Sequence, residues 1–250
     1  MWVKYALESE LNWRRGEKIN FRRICMAKKK NKEYNVPMNS SKENMKNRNC
    51  DYKTLAIMSL YSKFTPIEKQ IEDGVDEQYI YLYRNKILES KDEIEEISKW
   101  KIKTVLNNMR KITMLNSNLI TSMVYEDCGY EETYYMIDYS DEEGKEYVTI
   151  EKNILKILIN IGNSDLIKIY ILIKYLSREN ARKISREYLA QEIGIENPSK
   201  SVLDRISKIT SSLAKAGLIE KKYISEGCKT QIYYRIIPLN EFKKNHNCFC

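Results

Sequence analysis

Apolar residues recur at helical spacing along most of this chain, and the pattern falls into the same order of elements twice. Residues 52–64 (YKTLAIMSLYSKF) place apolar side chains as a helix face would, and Tyr79 to Tyr83 alternates in a way that suits a strand or a helix. A short acidic helix is expected over 91–97, and a longer helix over 98–115 with Ser98 as its N-cap. Two strand-like segments follow, at about 119–126 and 132–139, joined through Asp127-Cys128-Gly129. The second half begins with a strand, Tyr147 to Ile150, and a helix over 151–161. Residues 165–178 (DLIKIYILIKYLSR) are so apolar that they fit a central packing helix. Ser185 is expected to cap a short helix from Arg186 to Ile193 that stops at Gly194. Ser199 is expected to cap a long helix reaching Ala216, with Gly217 as a left-handed C-cap. Segments 218–225 and 230–237 then form a hairpin turning at Glu226-Gly227-Cys228.

The two halves also match residue by residue. Lys103 to Thr113 (KTVLNNMRKIT) and Lys200 to Thr210 (KSVLDRISKIT) share six of eleven residues at a spacing of 97. Leu119-Ile120 matches Leu218-Ile219, and Tyr134 to Ile137 matches Tyr233 to Ile236, both at a spacing of 99. Collinear matches of this kind indicate one module present twice. Helix, short helix, turn, longer helix and hairpin is the order of a winged helix-turn-helix. The expected fold is therefore α+β, mainly helical, with two tandem winged helix-turn-helix domains at 51–145 and 146–240 and the acidic turn Asp141 to Gly144 between them. Residues 1–50 are expected to be a basic, largely disordered arm, and 241–250 a tail. Residues 1–25 have two readings: an amphipathic helix through Trp2, Tyr5, Leu7, Leu11 and Trp13, or an upstream extension of a protein that starts at Met26.

Charge separates the modules. The chain of 250 residues carries a formal +8, distributed as +8 over 1–50, −7 over 51–145 and +7 over 146–250. The basic parts suit nucleic acid and the acidic module suits a protein contact. No apolar run approaches the ~20 residues of a membrane span, and no secretory signal is evident, so a cytoplasmic protein with no membrane partner is expected. The six cysteines define no disulfide framework, and His246, Cys248 and Cys250 offer only three ligands on a terminal tail, so neither a metal nor a cofactor is expected. One histidine, with no phosphate-binding glycine loop and no Cys-x-x-Cys pair, points away from an enzyme.

On the second long helix, Val202, Leu203, Ile206, Ile209 and Leu213 form the apolar stripe. The other side shows Ser199, Lys200, Ser201, Asp204, Arg205 and Lys208, which a major groove would meet, with Arg205 suited to a two-pronged contact on guanine. The hairpin adds Lys221, Lys222, Lys229 and Arg235 for phosphate or minor-groove contact. On the first long helix the matching residues are Lys103, Thr104, Asn107, Asn108 and Lys111, but its hairpin is acidic (Glu126, Asp127, Glu131, Glu132). The first module is read as a weaker DNA contact or a dimerisation surface, and the second as the reader of double-stranded DNA.

Over about residues 51–238 this architecture resembles the plasmid replication initiator proteins of bacteria. That resemblance implies a bacterial protein associated with nucleoid or plasmid, in which one winged helix supports a homodimer or a secondary DNA contact. The other, here Ser199 to Lys208 with the wing Lys221 to Arg235, reads repeated origin sites, and the protein then helps to load host replication proteins. Two alternatives stand beside a plasmid or phage replication initiator. One is a winged-helix transcription regulator of a mobile element; the other is a winged-helix protein-interaction module without specific DNA binding.

Overall fold

Strand β1 (Asn35–Asn39) opens the structure, a computed structural model that describes residues 35–62, 79–127, 130–139, 147–177, 180–226, 229–238 and 241. Helix α1 (Lys42–Lys46) follows, with Ser41 accepting from the Asn44 amide, and then α2 (Tyr52–Tyr61), whose N-cap Asp51 accepts from the Lys53 amide. Strand β2 (Tyr79–Tyr83) resolves the ambiguous alternation of that segment in favour of a strand. Helices α3 (Arg84–Glu89), α4 (Lys91–Ser98) and α5 (Ile102–Leu115) lead into the hairpin of β3 (Ile120–Asp127) and β4 (Tyr130–Asp138).

The second half repeats this plan. After β5 (Tyr147–Glu151) and α6 (Lys152–Ile161) come α7 (Ser164–Ser177), the short strand β6 (Arg182–Lys183), α8 (Arg186–Glu192), α9 (Lys200–Lys215) and the hairpin of β7 (Ile219–Glu226) and β8 (Lys229–Ile236). Each half holds a three-stranded antiparallel sheet with the last strand in the middle, in the orders β2–β4–β3 and β6–β8–β7. The registers also agree: Tyr83 pairs with Tyr134 in the first sheet, and Lys183 pairs with Tyr233 in the second. The fold is thus α+β, mainly helical, with small antiparallel sheets. No helix among the described residues is long and apolar enough to cross a membrane.

The long helices fold for the reason their stripes suggest. Val105, Met109 and Ile112 are buried on α5, as are Ile206, Ile209 and Leu213 on α9. Helices α2 and α7 differ, being buried on nearly every side, and they form the centre of the molecule. The starts of these two helices touch, since the Tyr52 amide donates to Ser164 Oγ at 2.9 Å. Lys156 on α6 reaches Glu93 on α4 at 2.6 Å, tying the two halves together. The described residues consequently form one compact unit with one shared core, so the boundary expected near 145 is a step in topology and not a break in packing. The turn Asp141 to Gly144 itself lies outside the described residues, as do the two hairpin turns at 128–129 and 227–228 and both readings of residues 1–25.

Three sequence expectations need correction. Residues 35–50, expected within a disordered arm, belong to the fold. β1 pairs along its length with β5, from Asn35 opposite Glu151 to Asn39 opposite Tyr147, and buries Val36 and Met38. Ser98 does not cap α5. It ends α4, donating to the Ile94 carbonyl at 2.6 Å, and Lys99 then turns the chain with φ 61°. The α5 amides find another partner, because Glu95 Oε1 accepts from the Ile102 amide at 2.8 Å. Ser199 occupies the N-cap position of α9, but its hydroxyl meets that of Ser201 at 2.9 Å and not a backbone amide. Ser185 does cap α8, and Gly217 has the left-handed conformation at φ 71°.

Candidate nucleic-acid interface

Helices α5 and α9 are amphipathic, and their outward sides carry the residues of interest. On α9, Lys200, Ser201, Asp204, Arg205 and Lys208 are exposed beyond the buried stripe. On α5, Lys103, Thr104, Asn107 and Lys111 are exposed, Asn108 is half-buried, and Arg110 adds another exposed cation. The sequence of α5 contains no acidic residue at all. Among the described residues no ion pair engages Lys103, Arg110, Lys111, Lys200 or Lys208.

The hairpin residues fare differently. Arg235 is enclosed by two carboxylates: its Nε donates to Glu220 at 3.0 Å and its Nη2 to Glu241 at 3.0 Å. Those hydrogen bonds, to Glu241 first and Glu220 second, raise the guanidinium pKa further. Lys222 pairs with the same Glu220 at 3.0 Å. Glu220, hydrogen-bonded by Lys222 and by Arg235, is held below the usual carboxylate range. Lys221 donates to Thr210 at 3.2 Å and Ser211 at 3.3 Å, and its ammonium lies 5.4 Å from the centre of the Tyr223 ring. The Lys221 bonds to Thr210 and Ser211 tie the hairpin to α9. Three of the four cations expected to meet phosphate therefore have intramolecular partners, and the Lys229 side chain lies outside the described ones. In the first hairpin the side chains of Glu126, Asp127 and Glu131 are likewise outside the described ones. Its outer strand β3 exposes Met123 and Val124.

Arg205 has a partner that its helix alone does not reveal. Its Nη2 lies 3.1 Å from Asp165 Oδ2 at the start of α7, and Arg48 Nη1 approaches the other oxygen of the same carboxylate at 3.9 Å. Arg48 reaches this place because residues 41–50 are wedged between the halves. Lys168, almost wholly buried on α7, donates to the carbonyls of Met45 and Asn47 at 2.8 Å each. Burial lowers its pKa to about 8. Asn47 donates to Asn116 at the end of α5 at 2.7 Å. Lys46 pairs with Glu192 of α8 at 3.7 Å, and the Lys46 carbonyl lies so close to Gly194 that a Cβ there would sit 2.1 Å from it.

Sequence reasoning missed Arg48, Asp165 and Lys168. Arg48 lay in a Lys- and Asn-rich stretch that reads as disordered, and Lys168 in a run of apolar residues. Asp165 carried a signal only as a favourable first-turn acid of α7. Neither a protein-family model nor a curated protein matches the chain.

Proposed function

We propose that the chain is a tandem winged-helix protein that binds double-stranded DNA site-specifically and initiates replication of a plasmid or phage from repeated origin sites. The observation that carries this reading is the repeated topology. Each half builds helix, strand, helix or helix pair, long helix and hairpin, with the last strand central, and places before its hairpin a helix with outward cations that no ion pair engages among the described residues. A helix in that position is the one that enters the major groove in helix-turn-helix proteins. Lys103, Asn107 and Lys111 on α5 and Lys200, Ser201 and Lys208 on α9 offer the donors that phosphates and base edges accept. The exposed apolar residues of the outer strand β3 support self-association through the first module. Recruitment of host replication proteins is part of the initiator reading.

Footprinting of the purified protein on the DNA flanking its gene tests the proposal. Several tandem protected repeats are expected. A single dyad-symmetric site would replace the initiator by a transcription regulator, and no protection at moderate salt would remove the DNA-binding reading in favour of a protein-interaction module.

A further inference from the structure

Asp165 is the meeting point of three separate pieces of the chain. It stands in the first turn of the central helix α7, with its side chain 17% exposed, and two guanidiniums converge on its two oxygens. One, Arg205, comes from the outward side of α9. The other, Arg48, comes from the wedge at 41–50, outside both repeated segments. One carboxylate neutralises only one of the two cations.

The surroundings leave those guanidiniums as the unspent donors. The cleft beside Arg48 and Asp165, about 260 Å³, is lined by Arg48, Asp51, Asn163, Ser164, Asp165 and Lys168. Asp51 is occupied by the Lys53 amide at 3.2 Å and the Thr54 hydroxyl at 2.6 Å. Asn163 accepts from the Leu166 amide at 3.1 Å, and Ser164 from the Tyr52 amide at 2.9 Å. Lys168 is committed to its two carbonyls. Each guanidinium has five N–H donors, and among the described residues neither Arg48 nor Arg205 has a partner besides Asp165. Both are about half exposed. Ser201 and Lys208 lie one turn to either side of Arg205 on α9, so a group held here would adjoin the outward side of that helix.

We propose, resting on the DNA-binding reading above, that Arg48 and Arg205 together grip one backbone phosphate of the bound duplex, with Asp165 as the positioning residue for both. A planar fork matches the oxygens of a phosphodiester, and two forks set by one carboxylate define where along α9 the backbone runs. The contact fixes the register of α9 in the groove, so it governs specificity through geometry and not through a base edge.

The test uses the full chain and the duplex identified by footprinting, with affinity followed by fluorescence anisotropy over a salt series. R48A and R205A are each expected to weaken binding about tenfold at low salt and to reduce the slope of log K against log salt by about 0.9. The double variant should lose no further slope, because both residues act on one phosphate. A duplex with a neutral methylphosphonate at that phosphate should bind wild type more weakly and the double variant unchanged. D165N removes a negative charge, so charge alone would tighten all duplexes equally; positioning requires that discrimination between the site and a scrambled duplex fall. R48K and R205K, which keep the charge without the fork, should recover only part of the affinity. Denaturation midpoints of each variant show whether the fold is kept. Wild-type affinity, slope and methylphosphonate pattern in R48A would overturn the proposal, as would uniform tightening by D165N. Failure of wild type to bind any duplex would instead sink the DNA-binding reading, and this contact with it.

Discussion

Lys168 Nζ donates to the carbonyl oxygen of Met45 at 2.8 Å across 123 positions of sequence. The ammonium terminates α1, whose last carbonyls have no intrahelical partner, and a cation there also faces the negative end of the helix. Among the described residues it is the one buried charge that joins the 41–50 wedge to the central helix. Lys168→Met keeps much of the volume and the stem packing but strands the Met45 and Asn47 carbonyls. We expect a loss of about 2–3 kcal/mol in urea unfolding, together with faster proteolysis in the segment 41–50.

The same pocket sets a pH dependence. Burial pushes the Cys50 thiol up to about 12, with Lys168 opposing and Asp51 adding to the shift. In the unfolded chain the thiol ionises from its ordinary value of 9.0, so its contribution to stability is full below pH 9 and is lost as pH rises towards 12. Lys168 acts in the opposite sense. Its lowered pKa of about 8, against 10.5, means that stability recovers as pH rises from about 8 to 10.5. Urea midpoints across pH 7–10.5 should therefore fall less steeply above pH 9 in Cys50→Ala than in wild type. They should fall more steeply in Lys168→Met, which lacks the compensating rise. Parallel curves for all three proteins would contradict this assignment.

Gly194 is required twice over. Its φ of 87° disfavours any side chain, and a Cβ would lie 2.1 Å from the Lys46 backbone oxygen. Backbone cannot yield as a flexible side chain does. Gly194→Ala is expected to cost more than about 2 kcal/mol, the left-handed conformation alone accounting for ~1–2. It should also displace α1 from the turn between α8 and α9, visible as loss of hydrogen-exchange protection at the Met45 and Asn47 amides.

The parts legible in sequence were those with local causes. The stripes Val105/Met109/Ile112 and Ile206/Ile209/Leu213 are periodic, Ser185 and Gly217 are local caps, and the hairpins follow from short alternating runs. The wedge was illegible because its order depends on partners far along the chain: β1 on β5, Met45 and Asn47 on Lys168, and Asn47 on Asn116. Ser98 misled for a related reason. Its hydroxyl closes the preceding helix, and the next is capped by Glu95, seven residues before Ile102. At the candidate interface, the helix sides were readable but the pairing of Arg205 and Arg235 was not, since Asp165 and Glu241 lie on other elements.

Asn116 tests whether the wedge couples the two halves. It is buried, accepts from Asn47 at 2.7 Å, and donates to the Asn49 carbonyl at 3.3 Å and the Ile112 carbonyl at 3.0 Å. Asn116→Ala should cost about 1–3 kcal/mol by leaving those groups unpaired. A double-mutant cycle with Asn47→Ala should give a coupling of about 1 kcal/mol. Strictly additive losses would mean that the bond contributes nothing to the junction.

The ion pairs of the second hairpin divide its cations from those of the helices. Arg235 has two carboxylate partners and Lys221 has the hydroxyls of Thr210 and Ser211, so a DNA phosphate would have to displace bonds already made. Lys208 and Lys111 have none to lose among the described residues. On the DNA-binding reading, Lys208→Ala and Lys111→Ala should each lower the slope of log K against log salt by about 0.9, with a uniform loss of affinity across sequences. Arg235→Ala should leave that slope unchanged and shift only the denaturation midpoint, by an amount in the range of exposed ion pairs, about 0–1 kcal/mol. If Arg235→Ala instead removes a full unit of slope while Lys208→Ala removes none, the hairpin is the phosphate contact. The pairs with Glu220 and Glu241 would then be exchanged on binding, and the outward side of α9 would not be facing the duplex.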